Sequence, residues 1–156
     1  MSKKPEKPKR QAVVVNRKAR FRYEILERLE CGIVLKGTEV KSLRNHQASL
    51  EEAFARVQDE EFWLCGCHIG PYEQGNIQNH EPTRPRKLLA RKREIRKWIP
   101  QVQAKGLTIV PLDIHFNDRG LAKVTLALVK GKSMGDKRQD MKKRDHQREM
   151  DRAMRR

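Results

Sequence analysis

The sequence predicts a mainly β protein with helices: a small antiparallel β-barrel over residues 12–130, followed by a basic tail over 131–156. Three observations predict it. Two strand-like runs, 107–116 and 121–129, meet at Asn117-Asp118-Arg119-Gly120, a strong hairpin signal. Further short runs of strand character surround one strong helical pattern, with no β-α-β alternation, which argues for a closed or half-closed barrel. Residues 131–156 hold ten Lys/Arg, five Asp/Glu and no Leu, Ile, Val or aromatic residue. Such a stretch cannot bury enough apolar area to offset the entropy of ordering itself, so a disordered tail is expected until it meets a partner.

Taken in order, residues 1–11 are Lys/Pro-rich and expected to be disordered. Ala12-Val13-Val14-Val15-Asn16 is a β-branched run and reads as a strand. Phe21, Tyr23, Ile25, Leu29, Cys31, Ile33 and Leu35 keep period 2, broken only at Glu27. Ile25, Leu26 and Leu29 would also suit a helix, but Gly32 and the β-branched Ile33-Val34 favour a strand. Gly37-Thr38 caps a short helix over 39–45. Residues 54–57 and 62–69 read as a hairpin turning at Asp59-Glu60-Glu61. Residues 72–86 contain Gly75, Pro82 and Pro85 and read as a long loop. The best helix covers 87–103, where Leu88, Leu89, Ile95, Trp98, Ile99 and Val102 approximate one apolar face. Pro100 is expected to kink or end it near Ile99.

The net charge of +16 is unevenly spread. Residues 1–20 carry eight basic residues and one acid, and the tail contributes +5. The 110 residues between carry 18 basic and 14 acidic residues, the balance of an ordinary globular domain. Excess cationic charge at both ends points to a polyanion, and nucleic acid is the simplest one. A membrane is not expected: no amphipathic pattern offers an aromatic or leucine-rich face, and no apolar run approaches the roughly 20 residues of a spanning helix. The N-terminal charged stretch lacks the apolar core of a secretory signal. Three cysteines, an odd number, fit a reducing cytoplasm.

Four constellations invite chemistry. Residues 84–97 (RPRKLLARKREIRK) carry eight basic residues and only one local acid, Glu94. At helical spacing Arg93, Arg96 and Lys97 share a face, as a phosphate-tracking stripe would. Cys65-x-Cys67-His68 is too tightly spaced for a usual zinc site and reads as small buried residues, with no metal or other cofactor expected. The five histidines form no recognisable acid–base arrangement with a nucleophile or paired carboxylate; His80, in its Asn-His-Glu-Pro loop, is the histidine best placed to touch RNA and is not expected to be a catalyst. Glu30 and Glu39 are out of keeping with a phosphate-binding surface. A carboxylate there can instead accept from base amino or imino groups, or orient an arginine.

The string Glu30-Cys31-Gly32-Ile33-Val34-Leu35-Lys36-Gly37-Thr38-Glu39-Val40-Lys41-Ser42-Leu43-Arg44 closely resembles the small protein B family, the SsrA-binding proteins of bacteria. The likeness continues, in one collinear order, through His68-Ile69-Gly70-Pro71-Tyr72, Arg84-x-Arg86-Lys87-Leu88-Leu89, Thr108-Ile109-Val110-Pro111, Lys130-Gly131-Lys132 and Asp136-Lys137-Arg138. The resemblance implies an oligonucleotide-binding-like barrel that grips the elbow of the tRNA-like domain of transfer-messenger RNA (tmRNA, SsrA RNA). It implies delivery of that RNA to stalled ribosomes for trans-translation, by a protein that is no enzyme. The ribosomal partners implied are the 16S rRNA of the decoding centre and the empty mRNA channel, which the tail would enter as a helix. A cytoplasmic monomer is expected.

By the same resemblance Asn16, Tyr23, Glu30 and Leu89 match positions implicated in tmRNA binding. Lys18, Arg20, Arg86 and Lys123 join them on charge. Arg91 stands where many relatives carry Asn or His, so a backbone-directed contact would replace a base-specific one. In the tail, Asp136, Lys137 and Arg138 match the signature associated with the decoding centre, and Lys132, Lys142, Lys143, Arg144 and Arg148 add charge. Met134-Gly135 replaces a flat ring that many relatives have just before Asp136. Two other classes compete: a generic basic protein binding structured RNA, and a small nuclease.

Overall fold

The computed structural model describes residues 12–74, 79–131 and 134–155, the last segment without the side chains of 134–137 and 140. The disorder expected for 1–11 lies outside the described residues. The chain runs β1 (Ala12–Val15), α1 (Ala19–Arg22), β2 (Tyr23–Ile33), α2 (Gly37–Arg44), β3 (Ala48–Ser49), β4 (Phe54–Gln58), β5 (Glu61–Cys65), β6 (His68–Ile69), β7 (Arg86–Leu89), α3 (Lys92–Lys105), β8 (Thr108–Phe116), β9 (Ala122–Gly131) and α4 (Met134–Met154). Seven strands form one antiparallel sheet in the order β1-β8-β4-β5-β7-β2-β9, and β9 pairs back onto β8. The ring of pairings from β8 round to β9 therefore closes a six-stranded barrel, with β1 lying on β8 beyond the end of β4. The β4–β8 seam is a single pair, Ala55 with Ile109. β3 and β6 make a separate two-stranded ribbon.

The break in the period-2 pattern of β2 is a bulge. The register with β9 shifts between Ile25 and Glu27. An extra residue exchanges the two faces of a strand. Leu29, Cys31 and Ile33 thus point into the barrel with Val124, Leu126, Leu128, Ile109 and Ile114. Tyr23 and Ile25 lie on the outside, where they pack with Ala19, Val110, Leu112, Ala127 and Val129 in a second apolar cluster. The unforeseen helix α1 supplies Ala19 to that cluster. The upper outer faces of β2 and β9 stay open, and Glu30, Gly32, Lys123 and Thr125 occupy them.

Several expectations need correction. Residues 134–154, expected to be disordered until a partner is met, form helix α4. The helix placed over 87–103 is two elements. Residues 86–89 form strand β7, with Leu88 buried and Leu89 exposed, and α3 starts only at Lys92 after Arg91 as N-cap. The paired leucines imitated a helical stripe, but strand pairing with β2 and β5 sends them to opposite faces. Nor does Pro100 end α3, which continues to Gly106, left-handed at φ 64°. Arg96 and Pro100 are both exposed, so water can take the carbonyl that the missing N–H leaves unbonded. Ile95 and Trp98 turn inward, the indole 6.0 Å from the Phe62 ring. The strand expected over 62–69 is also two elements: β5 ends at Cys65, and beyond Gly66 at φ 70° residues 68–69 form β6 in the separate ribbon with β3. Phe21, read as the start of the β2 run, lies in α1, and β2 begins at Tyr23. The 54–65 hairpin turns on Asp59 and Glu60, both at positive φ (52° and 58°), the turn geometry that suits strand twist.

Candidate nucleic-acid interface

A groove of about 660 Å³ opens on the outer barrel face, lined among others by Glu30, Gly32, Leu89, Arg91, Lys92 and Lys123. Strand register builds it. Gly32 pairs with Leu89 on one side and with Lys123 on the other, so the three stand in one transverse row. Gly32 is the floor: a Cβ there would sit 3.2 Å from the Leu89 Cβ. Leu89 can therefore lean over the floor while remaining 53 % exposed. Glu30 lies two residues up the same face of β2, beside Thr125. The β7–α3 corner holds Arg91 and Lys92 over the rim. Among the described residues no acid is within salt-bridge distance of Arg91, Lys92 or Arg93. The site thus joins an exposed apolar surface, a carboxylate acceptor and several cations, which suits an unstacked base with its neighbouring phosphates.

Beneath Glu30 a small polar cluster continues onto β8. The His115 Nδ1 lies 2.9 Å from Asp113 Oδ1, which also accepts from the Thr125 hydroxyl at 3.0 Å. The His115 Nε2 points toward Glu30, 3.6 Å from its Oε1.

The remaining barrel residues gather on the neighbouring surface. Lys18, Tyr23 and Asn16 line a shallow hollow beside α1, and Lys18 reaches Glu51 at 3.7 Å. Asn16 is buried, and its amide donates to the Pro111 carbonyl at 3.0 Å, which fastens the end of β1 to β8. Arg20 joins Arg17, Arg28, Arg144 and Arg148 around a cleft of about 500 Å³ between α4 and the barrel. Arg144 also stands over the Phe21 ring at 5.8 Å. Along α4, Arg138, Lys142, Lys143, Arg144 and Arg148 are all exposed. Lys132 and the side chains of Asp136 and Lys137 lie outside the described residues, as does any stacking by Met134.

Several sequence expectations are corrected here. Arg86 has no exposed surface and cannot contact RNA. Its guanidinium donates to Glu39, to the Cys67 carbonyl at 2.8 Å and to the Pro82 carbonyl at 3.0 Å. Glu39 is buried as well, held by Arg84, Arg86 and the Lys36 backbone N–H at 2.8 Å. Burial pushes its carboxyl up, but the bonds from Arg84, Lys36 and Arg86 outweigh that and leave it below its usual value. His80 is also internal, bridging the Thr38 hydroxyl and the Ile69 carbonyl at 2.9 Å each. Nor is the 84–97 stripe short of acids. Lys87 meets Glu61 at 3.1 Å, Arg96 meets Glu60 at 3.6 Å and Lys97 meets Glu27 at 3.0 Å. Those acids come from other elements, so a local count could not find them.

The cysteines are thiols of the interior or its edge. Burial raises Cys31 to about 12 and Cys67 to about 11. No group of three or more His, Cys, Asp or Glu among the described residues could hold a metal ion. No described helix is long and apolar enough to cross a membrane. Sequence reasoning did not single out Gly32, Arg17, Arg28 or the His115 cluster, while Lys92 belonged to the basic stretch 84–97. Alternation along β2 and β9 held the signal for Gly32 and Thr125, since every second residue there shares the face of Glu30 and Lys123.

Residues 13–156 match the family profile described as SmpB protein. The SsrA-binding protein of Brucella canis is 52 % identical over 155 residues, covering 99 % of this chain and 98 % of that protein. The SsrA-binding protein of Moorella thermoacetica is 56 % identical over 148 residues, covering 94 % and 96 %. A solved structure described as "tmRNA-SmpB: a journey to the center of the bacterial ribosome" contains a similar chain. It is 52 % identical, with a TM-score of 0.66, and the match covers 77 % of this chain and 84 % of that one. A profile match over nearly the whole length, two full-length relatives above half identity and a shared barrel agree: the chain belongs to the SmpB protein family.

Proposed function

We propose that this protein binds tmRNA (SsrA RNA) and delivers it to stalled ribosomes for trans-translation, acting as a binding protein and not as an enzyme. The observation that carries the reading is the groove, where exposed Leu89 stands over Gly32 with Glu30 on one flank and Arg91 and Lys123 on the others. The barrel contacts the elbow of the tRNA-like domain. There unstacked loop bases stack on Leu89 and donate to Glu30, while Arg91, Lys92 and Lys123 meet phosphates. The hollow holding Lys18 and Tyr23, with Arg20 beside it, extends the same contact. The names of the full-length relatives and the description of the solved structure, which speaks of tmRNA-SmpB and the bacterial ribosome, support this reading.

The tail has a separate task. It samples the decoding centre and the empty mRNA channel with Asp136, Lys137 and Arg138, and its further basic residues meet ribosomal RNA. Ordered as α4, it carries Arg144, Arg148 and Arg152 at helical spacing on a chain with almost no apolar face. Such a segment is stable chiefly where a polyanion surrounds it. The protein works as a cytoplasmic monomer. The test is competition: the purified protein, loaded with labelled tmRNA at physiological salt, should keep it against a large excess of bulk tRNA. Displacement by stoichiometric tRNA would make this a generic binder of structured RNA.

A further inference from the structure

We propose that the cleft between α4 and the barrel seats the phosphate backbone of a single RNA strand, gripped by arginines from both walls. The proposal rests on the reading that the basic residues of the tail meet RNA, and it gives that contact a second wall. The strand is distinct from the loop bases that the groove reads, which need no tail. Arg17 follows β1 and Arg28 lies on β2, so both come from the barrel, while Arg144 and Arg148 come from α4. All four are exposed, and together with Arg20 they line one cleft of about 500 Å³. Among the described residues no acid lies within salt-bridge distance of any of the four. The acid of the lining is Asp113, whose Oδ1 already accepts from the Thr125 hydroxyl and lies 2.9 Å from His115 Nδ1. Elsewhere on the barrel Lys87, Arg96 and Lys97 each reach a glutamate. The cleft is therefore a place where cationic charge is gathered and left without a counter-charge.

Like charges held around one cleft repel, and its walls focus their field. Little in the free protein offsets that repulsion. α4 has almost no apolar face and meets the barrel chiefly through α1, where the Arg144 guanidinium stands over the Phe21 ring. That contact sets where the helix lies but neutralises nothing. A run of phosphates does, because it is anionic along its length and its oxygens accept two parallel N–H donors from each guanidinium. Arg144 and Arg148 are four residues apart, about 6 Å along the helix axis, so they face successive positions along a strand. The size of the cleft selects the ligand. It is many times the roughly 30 Å³ share of a water molecule, which gives room for a short run of backbone and none for a duplex. Val15, 55 % exposed in the lining, offers an apolar surface to a sugar. A strand seated there ties the tail to the barrel and holds α4 in place.

Amide exchange in the full chain tests this, read on peptides within 141–152 with and without a saturating short oligouridylate. The oligonucleotide should slow exchange there about tenfold, the effect of a few charge-assisted contacts made only by the docked helix. Arg17→Ala with Arg28→Ala should abolish most of that slowing, although the tail itself is untouched. Lys105→Ala with Arg119→Ala removes the same charge from barrel positions outside the cleft and should keep it. Pyrophosphate at matched phosphate concentration should leave exchange nearly unchanged. Slowing of equal size in the two double variants would overturn the proposal and leave α4 binding RNA by itself. Pyrophosphate acting as strongly as the oligonucleotide would also overturn it and make the cleft a site for a free phosphate. No slowing by the oligonucleotide in the wild-type chain would overturn both the cleft site and the reading that the tail meets RNA.

Discussion

Gly32 and Leu89 are register partners across β2 and β7, and a Cβ on Gly32 would approach the Leu89 Cβ to 3.2 Å. The glycine lets the leucine lie across the groove floor. Gly32→Val should displace Leu89 and weaken tmRNA binding roughly tenfold, the effect of withdrawing one leucine side chain from an interface. Leu89→Ala should do the same. Binding assays on the two variants check this, and full affinity in Gly32→Val would show that the leaning Leu89 is dispensable.

The Glu39 carboxylate ties α2 to the strand-bearing Arg86 and the loop-bearing Arg84. Its native value lies below the usual 4.5. The linked stability is therefore present above the usual value and lost as pH falls through the native one. Glu39→Gln should cost about 3 kcal/mol at neutral pH, because it strands two guanidiniums. The gap between variant and wild type should narrow on acidification. Urea titrations at neutral and acid pH measure it, and a gap independent of pH would refute the assignment.

Thiol chemistry should follow burial. Cys31 and Cys67 are buried while Cys65 is intermediate, and the two buried thiols are pushed to about 12 and about 11. Iodoacetamide should label Cys65 in the native protein, and the other two only after denaturation. Mass spectrometry of the alkylated peptides decides it. Rapid native labelling of Cys67 would mean that the core opens readily.

Truncation after Lys132 should leave tmRNA affinity nearly unchanged and abolish peptide tagging on stalled ribosomes. Filter binding and a tagging assay measure the two separately. A large loss of RNA affinity would instead place Arg144 and Arg148, which line the cleft beside Arg20, in the RNA contact itself.

Salt should weaken binding, with log K falling by about 0.7–0.9 per log unit of salt for each phosphate contacted. Arg91→Ala and Lys123→Ala should each lower that slope by about one phosphate's share, whereas Leu89→Ala should leave it unchanged. An unaltered slope in Arg91→Ala would remove Arg91 from the phosphate-binding set.

The barrel was legible because its signals are local. The 107–129 hairpin, the Asp59-Glu60 turn and the period-2 run of β2 each announce themselves within a few residues. Even the flaw in that run, at Glu27, coincides with a real bulge. What stayed hidden depends on partners distant in sequence. Arg86 looks like any basic residue until Glu39, 47 positions away, is found buried beside it. Leu88-Leu89 satisfied a helical stripe because a short apolar pair carries no period of its own. Within the groove, Glu30 and Leu89 were singled out through resemblance, while Gly32 gains its meaning only from cross-strand register.

The β4–β8 seam, stitched by the single pair Ala55 and Ile109, has a mechanical consequence. The ring has a second thin join, the two pairs Gly32–Leu89 and Ile33–Leu88 between β2 and β7, and amide exchange should begin beside these two joins. The wall carrying Glu30 and Lys123 is the firm part of the ring, where β2 and β9 pair over nearly their whole length. Breathing at the joins therefore leaves Glu30 and Lys123 in register while Leu89, across the β2–β7 join, moves against them.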